Sequence, residues 1–265
     1  MKTVLTIAGS DCSGGAGIQA DIKTIAAHHL YAMSVITALT AQNTTGVYGV
    51  QEVSPDFVAK QLDCVFADIP PDGVKIGMVS GDETIGIIAA KLRQYGAKNV
   101  VIDPVMASTS GTSLLSAAGR RTLWEELLPL ATLVTPNLQE AQELSDLPVE
   151  TEADMLRAAR EISRQCGGAV LVKGGHLSGD AADLLYQEGE AVWLRTQRIS
   201  NPNTHGTGCT LSSAIACGLA AGCSLEESVR RAKDYLTGAL SAGLNLGRGP
   251  GPLDHMYRLP SALQV

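Results

Sequence analysis

The sequence predicts an α/β fold, with a mostly parallel sheet that is covered by helices on both faces and carries an antiparallel hairpin at one edge. Three observations predict this fold. Short runs rich in β-branched residues alternate with longer runs of helical periodicity. The short runs are almost entirely apolar, as strands are when helices cover both faces of a sheet. After Lys173 the alternation stops, and two short runs flank the turn sequence of residues 187–190.

The predicted elements follow one another along the whole chain. Strands are predicted at Val4–Ala8, Met33–Ala38, Val74–Met78, Asn99–Asp103, Leu133–Thr135 and Ala169–Lys173. The helices predicted between them are Gly17–His29, Pro55–Val65, Asp82–Tyr95, Leu114–Leu128 and Glu152–Cys166. The hairpin strands are Ala182–Tyr186 and Ala191–Arg195, and the last two helices are Thr207–Gly222 and Leu225–Ala242. Because no linker, repeat or low-complexity segment interrupts this pattern, we expect a single domain over residues 1–265.

Composition limits the classes of partner. The chain has 265 residues, of which 18% are charged, and a net charge of −7. A broad basic surface for nucleic acid is therefore not expected, and any anionic ligand must be held by loops and a few cations. The six cysteines form no CxxC pair, which favours reduced thiols over a disulfide framework or a zinc site. With neither a signal peptide nor a membrane-spanning apolar run in the sequence, we expect a cytoplasmic protein without a membrane partner.

The first two strands lead into polar or glycine-rich stretches, where ligands bind in open parallel sheets. Gly9–Gly17 matches neither dinucleotide-binding nor P-loop patterns. It is compatible with a tight turn or with a loop whose backbone a ligand approaches closely. Asp21, one turn into the next helix, would then face the ligand or lie solvated on the surface. Gln42, in the expected loop Thr40–Thr45, offers an amide suited to the edge of a heteroaromatic ring.

Charged or polar side chains lie at or just after the ends of three later predicted strands. Asp103 at a strand tip is costly unless it faces a cleft, where it could hold a metal or its water, although Asp-Pro also stabilises turns. Asn137 and Glu140 lie three residues apart at the start of a helix, a spacing that also makes a capping pair. Lys173 precedes two glycines and is placed either to meet a phosphate or to be solvated.

The turn His205–Cys209 combines glycines with the start of an apolar helix. Its backbone N–H groups and the helix dipole favour an anion. The alternative is an ordinary helix start capped by Thr204 or Thr207. A thiol at this position, that of Cys209, is expected to be partly ionised. Together with the lysine and the carboxylates, this turn favours phosphoryl transfer, where catalysis depends on positioning and charge neutralisation.

Five motifs in this order closely resemble the hydroxymethylpyrimidine/phosphomethylpyrimidine kinases of thiamine biosynthesis, in the ribokinase-like superfamily. They are Thr6–Asp21, Asp103–Met106, Thr135–Glu140, Val172–His176 and Asn203–Thr210. The resemblance covers nearly the whole chain. It implies a ribokinase-like αβα sandwich that transfers the γ-phosphate of ATP to a hydroxymethyl group and then phosphorylates the monophosphate. It also implies Mg²⁺ and a homodimer, and it leaves the use of K⁺ open.

The resemblance also assigns roles to residues. An anion hole around the transferred phosphoryl group would be formed by Gly206, Thr207, Gly208 and Cys209. The ATP phosphates would lie by Lys173, Asn137 and Thr204, and Mg²⁺ or its waters by Asp103 and Glu140. The pyrimidine would lie by Gly9, Asp21, Gln42, Met78 and Val105. Cys209 stands where sugar kinases of the superfamily place a catalytic aspartate. Our hypothesis is that it accepts the proton of the substrate hydroxyl, and that the helix terminus makes the thiol acidic enough to do so.

Three other functions are compatible with parts of this pattern. Pyridoxal kinases of the same branch tend to carry methionine where Gln42 stands and a cysteine in the lid after Met106. The segment Ala107–Gly111 has no cysteine, so both features favour the pyrimidine. A catalytically silent sensor is disfavoured by five intact motifs. A sugar kinase is disfavoured by Cys209 and by an amide suited to a ring.

Overall fold

A computed structural model of the protein describes residues 1–106, 115–175, 181–196 and 198–259. Within these residues nine strands form one sheet in the order β3-β2-β1-β4-β5-β6-β7-β8-β9. The central strands are β1 (Thr3–Asp11), β2 (Tyr31–Asn43), β4 (Gly73–Ile76), β5 (Val100–Ile102), β6 (Leu133–Val134) and β7 (Ala169–Val172). They are parallel to one another, as predicted. The edge strands β3 (Gly46–Glu52), β8 (Ala181–Gln187) and β9 (Glu190–Thr196) are antiparallel.

Helices cover both faces of the sheet. They are α1 (Gly17–Ala27), α2 (Pro55–Asp68), α3 (Asp82–Tyr95), α4 (Ala117–Thr122), α5 (Leu138–Ser145), α6 (Glu152–Cys166), α7 (Thr207–Ala220) and α8 (Leu225–Ser241). The predicted helix over 114–128 is regular only in α4, because a π-helical turn at Leu123–Leu127 and a 3₁₀ turn at Leu128–Leu130 follow it. Of the lid, the structure describes Met106, and residues 107–114 lie outside the described residues.

Two hydrophobic cores lie on opposite sides of the sheet. Successive strand residues point to opposite faces, so Leu5 and Ile7 pack in one core and Val4 in the other. The first core contains the apolar faces of α2, α3 and α6, and the second contains those of α7 and α8. The predicted αβα sandwich is confirmed by this arrangement.

The prediction of a loop over Thr40–Thr45 was wrong. β2 continues to Asn43 and returns as β3, and Leu39 and Thr40 pair with the last residues of β1. The Asn43 side chain accepts hydrogen bonds from the N–H and the hydroxyl of Thr45, which closes the turn. Two glycines weaken the strand signal of β3, and the turn lacks the Asn-Gly pattern of tight hairpins, so local sequence favours a loop.

Candidate active site

The carboxyl ends of the six parallel strands meet at one edge of the sheet. Gln42 lies near the end of β2, and Met78 follows β4. Asp103 follows β5 directly, and Lys173 follows β7 directly. The side chains that the motifs single out are therefore gathered at the edge where open α/β sheets bind ligands.

The start of α7 leaves backbone N–H groups without a helical partner. Gly206 is the N-cap residue with φ of +84°, and no side chain in the described ranges caps this helix. A Cβ at Gly206 would lie 1.9 Å from the carbonyl oxygen of Gly15, so only glycine fits there. The alternative, a helix start capped by the side chain of Thr204 or Thr207, is therefore wrong. The Thr207 N–H bonds to the carbonyl of Thr204 at 3.3 Å. Because helices leave their first N–H groups without a helical partner, those of Gly208 and Cys209 are placed to bind an anion.

A cluster of opposite charges lies directly beside this turn. The Lys173 Nζ is 2.7 Å from Asp103 Oδ1 and 4.0 Å from Glu140 Oε2, and the Thr135 hydroxyl donates to Asp103 Oδ1 at 3.1 Å. A Cβ at Gly208 would lie 3.1 Å from Asp103 Oδ2 and 3.5 Å from Lys173 Nζ. The first turn of α7 and the charged cluster thus lie next to each other.

Asn137 and Glu140 form a capping box at the start of α5, so the capping interpretation is confirmed. Asn137 Oδ1 accepts the N–H of Glu140 at 2.9 Å, and Glu140 Oε2 accepts the N–H of Asn137 at 2.8 Å. Burial raises the pKa of the Glu140 carboxyl to about 7, with Lys173 opposing this shift and Asp103 adding to it. The shift means that this pocket disfavours a second negative charge, a condition that a bound cation would relieve.

The donor set fits a hard divalent cation such as Mg²⁺. Asp103 and Glu140 are both buried, and their carboxylate oxygens suit such an ion. Within the described residues, no group of three or more His, Cys, Asp or Glu side chains is arranged to hold a metal. Mg²⁺ would therefore take most of its ligands from water and from a phosphate, as it commonly does.

The residues predicted for the organic substrate lie next to this cluster, on the side of β1 and β2. A Cβ at Gly9 would lie 2.4 Å from the Met78 methyl carbon, so these two residues are in contact. The Gln42 Nε2 is 3.3 Å from the Nε2 of His205, the first residue of the turn His205–Cys209. The Val105 N–H bonds to the carbonyl of Asp103 at 2.8 Å, which ties Val105 to the charged cluster.

The predicted position of Asp21 is corrected by the structure. Its side chain is fully buried, and its oxygens accept bonds from Thr6, Ser213 and Lys75. It is therefore neither a solvated surface residue nor part of the surface that a substrate touches. A helix pattern cannot distinguish this arrangement, because the partners of Asp21 come from β1, β4 and α7.

The expected ionisation of Cys209 is also corrected. The thiol is half-buried at the start of α7. Burial raises its pKa to about 11, even though Lys75 and a hydrogen bond from the Gly17 backbone lower it. Cys209 is therefore a protonated thiol at neutral pH in the free protein, because desolvation outweighs the helix terminus.

Sequence reasoning missed two further pairs at this site. Lys75 lies inside a strand that was predicted from its apolar neighbours, and a lysine within such a run was a usable signal of a buried partner. Asp11 Oδ2 lies 2.9 Å from His205 Nε2 and accepts the N–H groups of Gly15 and Ala16 at 3.1 and 2.9 Å. Burial raises the pKa of Asp11, but the bonds from His205 and the loop hold it well below its usual range. The Asp11–His205 pair holds the segment Gly9–Gly17 against the turn His205–Cys209.

One groove in the described part of the chain lies away from this site, at the amino ends of the parallel strands. Arg160, Arg164, Gly168 and Tyr186 are among its lining residues. The charged cluster and the uncapped helix lie at the opposite edge, so we place the site by its chemistry and not by the size of this groove.

Comparison with known proteins gives a consistent result. Residues 11–254 match the family described as phosphomethylpyrimidine kinase. The chain is 53% identical over 258 residues to a hydroxymethylpyrimidine/phosphomethylpyrimidine kinase of Rhizobium meliloti, covering 96% of this chain and 97% of that protein. It is 51% identical to the thiamine biosynthesis bifunctional protein ThiED of Geobacter sulfurreducens. That match covers 96% of this chain, which spans 52% of the length of the bifunctional protein.

Solved structures of two kinases are similar to this fold. A phosphomethylpyrimidine kinase from Clostridium difficile is 46% identical with a TM-score of 0.80, over 89% of this chain and 98% of that one. A Bacillus subtilis pyridoxal kinase solved as an ADP complex is 37% identical with a TM-score of 0.90, over 98% of this chain and 100% of that one. The pyridoxal kinase thus has the higher TM-score although its sequence identity is lower. Since one fold serves several substrates, the score does not decide between the two substrates.

Proposed function

The chain belongs to the phosphomethylpyrimidine kinase family, and we propose that it transfers the γ-phosphoryl group of ATP to 4-amino-5-hydroxymethyl-2-methylpyrimidine and then to the resulting monophosphate. It is a phosphotransferase, and its relatives act in thiamine biosynthesis. The observation that carries the proposal is the uncapped start of α7 against the Asp103–Lys173 pair. Unpaired N–H groups and a cation at one point provide what a transferring phosphoryl group requires.

The triphosphate would lie over the charged cluster. Lys173 would neutralise phosphate oxygens, with Asn137 and Thr204 beside them. Asp103 and Glu140 would hold Mg²⁺ through its waters, and the ion would supply positive charge to the phosphate oxygens. The raised pKa of Glu140 supports a cation here, since the carboxylate form needs nearby positive charge.

The acceptor would lie on the side of Gly9, Gln42, Met78 and Val105. Gly9 lets the ring approach the backbone, and Met78 supplies an apolar, adaptable contact. The Gln42 amide would read the ring nitrogen and amino group, because it can both donate and accept.

Cys209 would receive the proton of the attacking hydroxyl. The hydroxymethyl oxygen bonds to the γ-phosphorus, the bond from that phosphorus to the β–γ bridging oxygen breaks, and the proton passes to the thiolate of Cys209. ADP leaves with the bridging oxygen. Gly206, Thr207 and Gly208 would hold the transferred oxygens through their backbone. The step uses the thiolate form, so its rate depends on how easily the thiol ionises.

The second candidate is a pyridoxal or pyridoxine kinase, favoured by the similarity to the Bacillus subtilis enzyme. Gln42 argues for the pyrimidine, because an amide suits the ring nitrogen and amino group better than the methionine of pyridoxal kinases does. The lid segment Ala107–Gly111, on which the second sequence argument rests, lies outside the described residues.

We further propose a cytoplasmic homodimer. No helix within the described ranges is long and apolar enough to cross a membrane. The edge strand β3 exposes 71% of Tyr48 and 47% of Val50. An apolar edge strand invites pairing unless something covers it, and a second copy of this chain would cover it.

ADP release in the presence of Mg²⁺ and ATP tests the proposed function. The acceptors compared are the hydroxymethylpyrimidine, its monophosphate, pyridoxal, pyridoxine and ribose. We expect the highest kcat/KM with the pyrimidine, and turnover of its monophosphate. A preference for pyridoxal would instead assign the chain to vitamin B6 salvage.

A further inference from the structure

A second charged pair lies beneath the site, and the proposed reaction does not use it. Lys75 in β4 and Asp21 in α1 form an ion pair with Nζ and Oδ2 2.8 Å apart, and both side chains are fully buried. Thr6 and Ser213 donate their hydroxyls to the same carboxylate at 2.6 and 2.7 Å. Because desolvation of a buried ion pair can exceed its attraction, such a pair is weak evidence of a role in stability alone.

Contacts between α1 and α7 place Asp21 one helical turn below Cys209. The backbone of Gly17, the first residue of α1, hydrogen-bonds to Cys209. Four residues further along each helix, Asp21 meets Ser213. Residues four apart lie on the same face of a helix, one turn from each other. The carboxylate therefore lies under the start of α7.

Lys75 approaches the same point from the sheet. A Cβ at Gly73 would lie 3.1 Å from the Ala216 oxygen and from the Ala220 Cβ, so this face of β4 packs against α7. Lys75, two residues later, points to the same face. A Cβ at Gly77 would lie 2.6 Å from the Lys75 Nζ. The ammonium thus reaches toward the carboxyl end of β4, where α7 begins.

We propose that Lys75 is a positioning residue for Cys209, whose buried ammonium supplies a fixed positive charge that favours the thiolate during phosphoryl transfer. The inference rests on the proposed function of Cys209. Asp21 would keep the ammonium charged and in place, while Thr6 and Ser213 fix the carboxylate. The charge is set in position before substrates bind, so no reorganisation is needed when the thiol ionises.

The charges around Cys209 agree with this role. Burial raises the pKa of the thiol, Lys75 lowers it, and Asp21 and Asp103 raise it. The pKa of Lys75 itself lies above its usual range, because Asp21, Cys209 and Asp103 outweigh its burial. Lys75 therefore remains an ammonium ion throughout the working pH range.

The test is the pH dependence of Cys209 alkylation by iodoacetamide, measured on the Cys209 peptide by mass spectrometry between pH 7 and 10. It compares the wild type with Lys75→Met and with the double variant Lys75→Met/Asp21→Asn. The double variant leaves no unpaired buried charge, so it decides the result if the single variant does not fold. The matched control is Lys233→Met/Asp183→Asn, which removes the other buried Lys–Asp pair of the described residues.

We expect alkylation of Cys209 to slow about tenfold at a given pH in Lys75→Met, equivalent to about one pKa unit. In the double variant we expect a smaller slowing, because the loss of Asp21 removes a charge that raises the thiol pKa. We expect kcat to fall with it while the KM for ATP changes little, and the control to keep the wild-type alkylation profile. A folded Lys75 variant with the wild-type profile, or an equal shift in the control, would overturn the proposal. Alkylation needs no turnover, so a failure of the proposed kinase activity is separately visible in the wild-type assay.

Discussion

At the scale of single residues, the account depends on a cysteine that its surroundings keep protonated. Burial raises the pKa of Cys209 to about 11 against the effect of Lys75. A thiol in this state serves as a base only through its small thiolate fraction, or after bound substrates change its surroundings. The loose transition state of phosphoryl transfer makes a weakly populated base tolerable, because positioning and charge neutralisation supply most of the rate.

Cys209→Ala should therefore lower kcat by about 10²- to 10⁴-fold. It should leave nucleotide binding intact, since the groups proposed to hold the phosphates are backbone N–H groups and Lys173. In the wild type, log kcat should rise with pH between about 7 and 10, because the thiolate fraction rises below a pKa near 11. The variant should lose this slope. Steady-state kinetics and ADP binding by calorimetry measure both effects.

Cys217→Ala is the matched control, since Cys217 lies in the same helix but is buried in the core. It should retain kcat and its pH dependence. Near-normal turnover of Cys209→Ala would remove Cys209 from the mechanism.

The residues that sequence reasoning identified differ from those that it missed in their position within the helices and strands. Cys209, Asp103 and Lys173 lie at element ends, where topology alone brings them to one edge of the sheet. Asp21 and Lys75 lie inside elements, and their role depends on which element faces them. That information is in the three-dimensional packing and in no single stretch of the chain.

At the scale of elements, the start of α7 lies so close to Asp103 that position 208 has little room for a side chain. A Cβ at Gly208 would lie 3.1 Å from Asp103 Oδ2, close enough to displace the carboxylate slightly. Gly208→Ala should therefore reduce kcat about 10- to 100-fold while the free energy of unfolding changes little, because alanine favours helix formation. Activity assays and urea unfolding give the two quantities.

Gly86→Ala in α3 is the control, because the nearest atoms to its Cβ are 3.9 Å away or more. It should gain up to about 1 kcal/mol in stability and keep full activity. Unchanged kcat in Gly208→Ala would show that the transferred phosphoryl group does not approach this turn.

Asp11, in the segment Gly9–Gly17, predicts a pH dependence of the free energy of unfolding. Asp11 has a folded-state pKa held below its ordinary value, so it stabilises the fold above about pH 4, and this contribution is lost as pH falls below that value. Asp11→Asn should lower the free energy of unfolding by about 1–3 kcal/mol at pH 7, since loop N–H groups and His205 lose a charged acceptor. The difference from wild type should shrink in urea unfolding at pH 3. A constant difference at both pH values would contradict this role.

Prediction of the elements succeeded where the local signal was strong. The bounds of α3 and α6 agree with prediction, since Gly96 and Gly167 end these helices in the left-handed conformation. The π-helical turn after α4 and the strand β3 were not predicted, because tertiary packing and cross-strand pairing determine them.

At the scale of the whole molecule, the exposed face of β3 predicts self-association. Val50→Lys should weaken the dimer, because a charge in an apolar interface loses its hydration. Sedimentation velocity should show a dimer for wild type and a monomer for the variant. Lys60→Ala, on the exposed side of α2, is a control that should remain dimeric. A monomeric wild type at micromolar concentration would contradict the proposed homodimer.

The αβα layers could be predicted from the sequence because strand and helix periodicities alternate so regularly. The family resemblance added a set of candidate site residues, several of which the structure gathers at one edge of the sheet. Neither could give the protonation state of Cys209, which depends on the summed effect of burial and of charges from three other elements.

The most direct test of the account is a crystal structure with a non-hydrolysable ATP analogue, Mg²⁺ and the hydroxymethylpyrimidine. We expect the γ-phosphate on the N–H groups of residues 207–209, and the hydroxymethyl oxygen beside the Cys209 sulfur with the ring against Gln42. A pyrimidine bound away from Cys209, or a triphosphate bound in the groove near Arg160, would contradict the account.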